Sequence, residues 1–198
     1  MPPDPALEQS SNGRACDASR FIIRLADPTV GPGSAPRQIA THHMGDITIE
    51  HLASRPELLP TIQSWFEAEW PGYYGPGGRG NARRDLLTYS NLSTLPVGLV
   101  AFFQGQACGF AALKSEPFPS HAHLHPWAGA AYVQPSLRRQ GIGRALLVAL
   151  EGQAAALGHT RAYCASATSA SLLQRCGWKL LELVQHEGEE VGVYEKAL

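Results

Sequence analysis

The run Tyr132-Val133-Gln134-Pro135-Ser136-Leu137-Arg138-Arg139-Gln140-Gly141-Ile142-Gly143-Arg144 constrains this chain more than any other segment. An apolar, β-like stretch from Ala128 to Val133 ends at a proline. A basic turn with two glycines follows, and Ala145-Leu146-Leu147-Val148-Ala149-Leu150 then reads as an apolar helix. Strand, cationic turn and helix together build a pyrophosphate cradle. The unpaired N–H groups of a first helical turn point at the anion, and the helix dipole favours it. Glycine lets the backbone come close, and arginine adds charge-assisted hydrogen bonds. The plainer interpretation is a basic loop opening an amphipathic helix. Nothing in such a turn requires both glycines and three arginines.

Composition narrows the class. A chain of 198 residues, 44% of them hydrophobic, supports one domain with a real core plus extra segments. The formal net charge of -1 argues against a dedicated nucleic-acid binder. No apolar run approaches the roughly 20 residues that span a bilayer, and Met1-Pro2-Pro3-Asp4-Pro5 has neither the basic nor the apolar region of a secretory signal. Cys16, Cys108, Cys164 and Cys176 are scattered without a CxxC pair. That pattern fits reduced thiols in the cytoplasm rather than a disulfide framework or a zinc site.

Residues 1–43 are rich in Pro, Ser, Gly and Ala, with Phe21-Ile22-Ile23 as the apolar cluster. They read as a disordered extension. Met44 stands where ordered patterning begins and is the expected start of the native protein, with 44–198 as the folded domain. From there the pattern is α/β. Asp46–His51 alternates as a strand, and Pro56–Glu69 places Leu58, Leu59, Ile62, Trp65 and Phe66 at helical spacing. Pro71–Gly78 reads as loop, and Asn81–Ser90 as a helix capped by Asn81. Val97–Phe103 and Cys108–Leu113 form a hairpin, followed by a loop over Pro117–Pro126. Ala128–Val133 is a strand, and Gly141–Leu157 a helix stopped by Gly158. A strand centred on Tyr163–Ala165 and a short helix over Thr168–Arg175 come next. Leu180–Gln185 and Val191–Glu195 close the chain as a hairpin. The order is β-α-α-β-β-β-α-β-α-β-β.

This order resembles the GNAT superfamily of acetyl-CoA-dependent N-acetyltransferases. The Arg/Gln-x-x-Gly-x-Gly/Ala signature is met by Arg138-Arg139-Gln140-Gly141-Ile142-Gly143, and a distal counterpart by Leu172-Leu173-Gln174-Arg175-Cys176-Gly177-Trp178. The likeness spans Asp46 to Leu198 and is closest over Trp127–Trp178, in the manner of bacterial members. It implies a mixed sheet splayed between the fourth and fifth strands and acetyl-CoA as co-substrate. It also implies transfer of the acetyl group to a primary amine of a small molecule or peptide, by direct attack in a ternary complex. Val133 and Arg138, Arg139, Gln140, Gly141, Ile142, Gly143 and Arg144 are then the cofactor-binding positions. A bulge near Val133 opens the strand edge to pantetheine amides, and the N–H there stabilises the oxyanion.

Two family positions depart from the pattern. Leu173 stands where many members carry a tyrosine acid, and Trp127-Ala128-Gly129-Ala130-Ala131-Tyr132 lacks the usual strand glutamate. Tyr163 and Ser166 are the first candidates to fill these catalytic roles, with Thr168, Glu69 and Tyr73 as further ones. Trp65, Trp70, Tyr73 and Tyr74 with Glu67 and Glu69 suggest an acceptor wall, in which aromatic faces and carboxylates suit a cationic amine. Core packing is the competing reading for Trp65 and Phe66, whereas the glycine-rich loop suggests partial exposure of Trp70, Tyr73 and Tyr74. His121-Ala122-His123-Leu124-His125 lacks common zinc spacing and reads as a solvated loop, so no metal is expected. Cys164 reads as a small apolar strand residue.

The departures keep a second reading open, a non-catalytic acyl-CoA-binding module. A dinucleotide-dependent oxidoreductase fits poorly, because Leu146 occupies the third glycine position and Arg161 stands where an acid belongs. Nucleic-acid and membrane partners are not expected. Exposed sheet edges would permit a homodimer.

Overall fold

A computed structural model of the protein describes residues 47–198. Residues 1–43 and Met44 lie outside the described residues. The elements are β1 (Ile47–His51), α1 (Leu59–Glu69), α2 (Pro71–Tyr74), α3 (Ala82–Thr88), β2 (Val97–Phe103), β3 (Gln106–Lys114), β4 (Trp127–Val133), α4 (Ile142–Ala156), β5 (Arg161–Ser166), α5 (Ala170–Arg175), β6 (Lys179–His186) and β7 (Glu189–Ala197). The expected α/β order is present with one addition. The Pro71–Gly78 segment read as loop opens with a short helix, α2. Pro71 supplies a fixed φ at its first position, and Tyr73 and Tyr74 turn inward to pack. Gly and Pro mark the segment locally, but the tertiary burial of its two tyrosines decides its shape.

Seven strands form one sheet in the order β1-β2-β3-β4-β5-β7-β6. All neighbours are antiparallel except β4 and β5, which are parallel. Both faces are covered, so the central strands are apolar on both sides. Alternation along β2, β3 and β4 sends Leu99, Ala101, Leu113, Ala131 and Val133 to one core, with Leu146, Leu147 and Leu150 of α4 and Leu173 of α5. It sends Val100, Phe102, Phe110, Ala112 and Tyr132 to the other, with Ile62, Trp65 and Phe66 of α1 and Leu86 of α3.

The helix ends follow their local chemistry. Asn81 Oδ1 accepts the Arg84 N–H at 2.8 Å and caps α3. After α5, Gly177 at φ 79° donates to the Gln174 carbonyl, and Trp178 donates to that of Leu173. This reciprocal pair is the Schellman stop. Trp178 Nε1 then donates to Glu151 of α4 at 2.8 Å. The distal Gly-Trp pair therefore ends one helix and pins it to another. The loop before β4 is likewise fastened, not solvated at His121. That side chain is buried, pairs with Glu182 of β6, and shares a 2.8 Å hydrogen bond with Ser120.

Where α3 meets β2 the packing leaves no spare room. A Cβ on Gly98 would stand 2.9 Å from the Phe110 ring and 3.1 Å from Tyr89 Cβ. Gly98→Val is expected to destabilise the fold by about 1–3 kcal/mol through overpacking. A lower urea midpoint with an unchanged slope is the expected reading.

Candidate functional site

Two strands that begin together and then part make the central feature. β4 and β5 pair at Trp127–Tyr163 and Ala128–Cys164. Beyond Ala128, β4 keeps β3 on one side, with Phe110 opposite Tyr132 and Gly109 opposite Val133. Between Phe110–Tyr132 and Ala112–Gly129 the register slips. Ala130 and Ala131 of β4 oppose Ala111 of β3, and Ala130 takes φ 49°. This is a β-bulge, which bends the strand and increases its twist. It lies upstream of Val133, the position near which a bulge was expected.

The open edge has a defined polarity. The Gln134 N–H donates to the Cys108 carbonyl on β3 at 2.9 Å. Backbone groups of successive strand residues point to opposite sides, so the Val133 N–H and C=O face away from β3, along the β5 side. The Val133 carbonyl there accepts from Arg138 Nε at 3.0 Å.

The basic turn runs from this edge into α4. Pro135–Leu137 forms one turn of 3-10 helix. Arg139 takes φ 64° and Gly141 φ 86°. The left-handed conformation at Gly141 reverses the chain into α4, 15 residues long, whose first turn has no side-chain cap. The Ala145 N–H begins the intrahelical ladder by donating to the Gly141 carbonyl. The N–H groups of the turn before it face outward as a cationic helix start. Arg139 and Arg144 are exposed there, and Ile142 is buried in the α4 core. Gln140 and Gly143 are half-buried.

Arg138 is placed differently from its two neighbours. Its side chain is 13% exposed and turns back over the end of β4. Nη2 donates to Glu69 Oε2 at 3.1 Å, while Nε holds Val133. The guanidinium thus ties the end of α1 to the end of β4. Tyr132, next to Val133, faces the α1 side with its ring stacked on Trp65 at 5.3 Å. Burial first, and then the Glu69 carboxylate, push its phenol above the usual range against an opposing pull from Arg138. The phenol is therefore a proton donor at neutral pH. Trp65 was read from sequence both as part of the acceptor wall and as core packing, whereas Tyr132 was not among the site residues. The one available signal was the alternation of β4, which puts residue 132 opposite in facing to 133.

The expected acceptor wall divides. Trp70, Tyr73 and Tyr74 are 5–9% exposed, in contrast to the partial exposure expected of a glycine-rich loop. Phe66 meets Trp70 edge-on at 5.0 Å, Tyr73 meets Tyr74 at 4.6 Å, and Tyr74 donates to Asp85 at 3.0 Å. These rings build the wall from within. Glu69, with 18% side-chain exposure, brings its charge to the open edge through Arg138.

The two catalytic candidates are not brought together. Tyr163 pairs with Trp127 at the start of β4 and its ring lies tilted against the Trp127 ring at 5.8 Å. Val133 lies roughly 20 Å farther along the strand at about 3.3 Å per residue. Burial, then Glu195, raise the Tyr163 phenol. Ser166 is the last residue of β5 and, three positions beyond Tyr163, faces the other side. Its Oγ accepts the Ser169 N–H at 2.9 Å and the Thr168 N–H at 3.3 Å, bracing the turn into α5. Leu173 is fully buried among α4 side chains. Burial pushes the Cys108 thiol up to about 11 and raises Cys164 further. Neither supplies a thiolate for acyl capture at neutral pH. No helix of the described residues is long and apolar enough to cross a membrane.

Comparison with known proteins agrees with this geometry. No functionally curated protein matches the chain by sequence. Among solved structures, an aminoglycoside 6'-N-acetyltransferase from Enterococcus faecium aligns at 14% identity and a TM-score of 0.60, covering 76% of this chain and 96% of its own. An aminoglycoside 6'-N-acetyltransferase complexed with coenzyme A aligns at 13% identity and 0.60, with the same coverage. A Salmonella typhimurium acetyl transferase that modifies the N-terminal serine of ribosomal protein L7/L12 aligns at 15% and 0.57, over 77% and 95%. At such identities these likenesses establish the fold. The sequence profile of the Acetyltransferase (GNAT) family matches residues 59–178, which takes in the open edge, the basic turn and the distal Gly-Trp pair, and the chain belongs to that family.

Proposed function

We propose that this acetyltransferase moves an acetyl group from acetyl-CoA to a primary amine of a small molecule or peptide, by direct attack in a ternary complex. The observation that carries the reading is the pairing of β4's open edge with an uncapped, cationic helix start at its end. A pantetheine arm offers amides that an open strand edge can pair as an added strand. A pyrophosphate suits the N–H groups from Gln140 to Arg144 and the charges of Arg139 and Arg144. Acetyl-CoA supplies the activated acyl group. The chain's own residues orient it, and the Val133 N–H, on the open edge, is the donor placed for the oxyanion of a tetrahedral adduct.

On the acceptor side, Glu69 is the carboxylate carried to the edge. It suits the binding of a cationic amine and acceptance of its proton, directly or through water. Direct attack is favoured over an acyl-enzyme because burial holds Cys108 and Cys164 as thiols. The departing CoA thiolate is a tolerable leaving group without a dedicated acid. The scattered cysteines, with no CxxC pair, support a reducing compartment such as the cytoplasm. One observation favours a second reading. Leu173, at the family's tyrosine position, is sealed in the core, which suits a module that binds acyl-CoA without turning it over.

Calorimetric titration with acetyl-CoA, followed by free-thiol release with polyamines, aminoglycosides, amino acids and peptides, separates the two. Turnover of an amine is expected. Binding with no turnover on any amine would leave the module, and no binding would defeat both readings. In the same titration Gly143→Asp is expected to weaken acetyl-CoA at least tenfold, about 1.4 kcal/mol, by placing an anion in the cradle. An aspartate in a first helical turn favours the helix itself, so thermal unfolding should not fall with the affinity.

A further inference from the structure

Arg138 opens the glycine-containing motif, yet its guanidinium faces away from the helix start. Of the two polar groups that Val133 presents on the open edge, the carbonyl is held by Arg138 Nε at 3.0 Å. The N–H is left as the group available to an acyl carbonyl. The same guanidinium holds Glu69 Oε2 at 3.1 Å, and both side chains are mostly buried, at 13% and 18% exposure. A guanidinium is a rigid planar fork, so bonds from Nε and Nη2 fix their two acceptors relative to one another. Swinging it to an anion at the α4 start would strip a half-buried carboxylate and a strand-end carbonyl of their donor at once. Tyr132, whose ring stacks on Trp65, feels the charges of both partners, Glu69 and Arg138.

We propose that Arg138 is a positioning residue for the transfer reaction, not a cofactor ligand: it sets the distance between the strand end that polarises the thioester and the carboxylate that meets the amine. This rests on the amine-transfer reading above. The role has a thermodynamic signature. A side chain that orders the acceptor side should leave acetyl-CoA binding alone and act on the amine. A pyrophosphate ligand should do the reverse. The pair should also behave as one unit, since losing either partner undoes the same arrangement.

Steady-state kinetics with the best amine found for the wild type, and calorimetry with acetyl-CoA, test this on Arg138→Gln, Arg138→Lys, Glu69→Gln and the double variant Arg138→Gln/Glu69→Gln. In Arg138→Gln, acetyl-CoA Kd is expected to stay within threefold while kcat/KM for the amine falls ten- to a hundredfold, with a raised amine KM. Arg138→Lys, which keeps the charge and one donor but cannot span both acceptors, should recover part of that loss. The double variant should be no worse than about threefold below the poorer single one. Thermal unfolding of each variant separates these effects from loss of fold, and Arg138→Lys serves if Arg138→Gln does not fold. A tenfold or greater rise in acetyl-CoA Kd with unchanged amine KM overturns the proposal and makes Arg138 a cofactor ligand. Fully multiplicative losses in the double variant overturn it as well. A wild type that binds acetyl-CoA and turns over no amine overturns the transfer reading, and the positioning role falls with it.

Discussion

A strand inside a sheet normally finds hydrogen-bond partners on both edges, and β4 has them on both edges only at its start. Past Ala128 its β5-facing side is unpaired by strand, because the bulge at Ala130–Ala131 bends β4 while β5 continues straight into its pairing with β7. An unmade backbone hydrogen bond away from water costs about 1–3 kcal/mol, so an open edge bordered by two cores is a standing preference for an extended, amide-bearing ligand. The rest of the architecture preserves this opening. β3 supports the far side of β4, α4 starts at its end, and the turn between them is held in shape by left-handed backbone at Arg139 and Gly141.

The sheet also separates the chemistry by face. The cradle belongs to the side covered by α4 and α5, where Val133 and Leu173 point. Tyr132 and Trp65 belong to the side covered by α1 and α3. Consecutive residues of one strand therefore face two different cores, and Arg138 is the side chain that joins the strand end to Glu69 of α1. A positive charge next to a cationic helix start is not automatically an anion ligand. Once a guanidinium is half-buried and doubly bonded, its position is decided by the acceptors it already has.

Much of the fold was legible from local chemistry. The Asn81 cap, the glycine stops after α4 and α5, and the alternation of β2 and β3 all follow from rules that act within a few residues. The cradle was legible for the same reason, since a strand, a glycine turn and a helix are contiguous in sequence. Pro71–Gly78 misled because its glycines and prolines signal a loop, while the burial of Tyr73 and Tyr74 draws four of its residues into a helix. The burial of Trp70, Tyr73 and Tyr74 and the surroundings of Tyr163 and Ser166 were not legible. Both depend on which residues distant in sequence lie against them.

The sequence by itself determined most of the element order, the approximate helix bounds and the basic glycine turn, because each is encoded by neighbours along the chain and by the side-chain periods of helix and strand. Only the tertiary structure decided where β4 loses its partner, and that Tyr163 lies against Trp127 at the closed end of the β4–β5 pair. It alone brought Glu69 to Arg138, across 69 positions of chain. Those outcomes turn on sheet order, on a single inserted residue in one strand, and on a guanidinium choosing among acceptors that folding brings within reach.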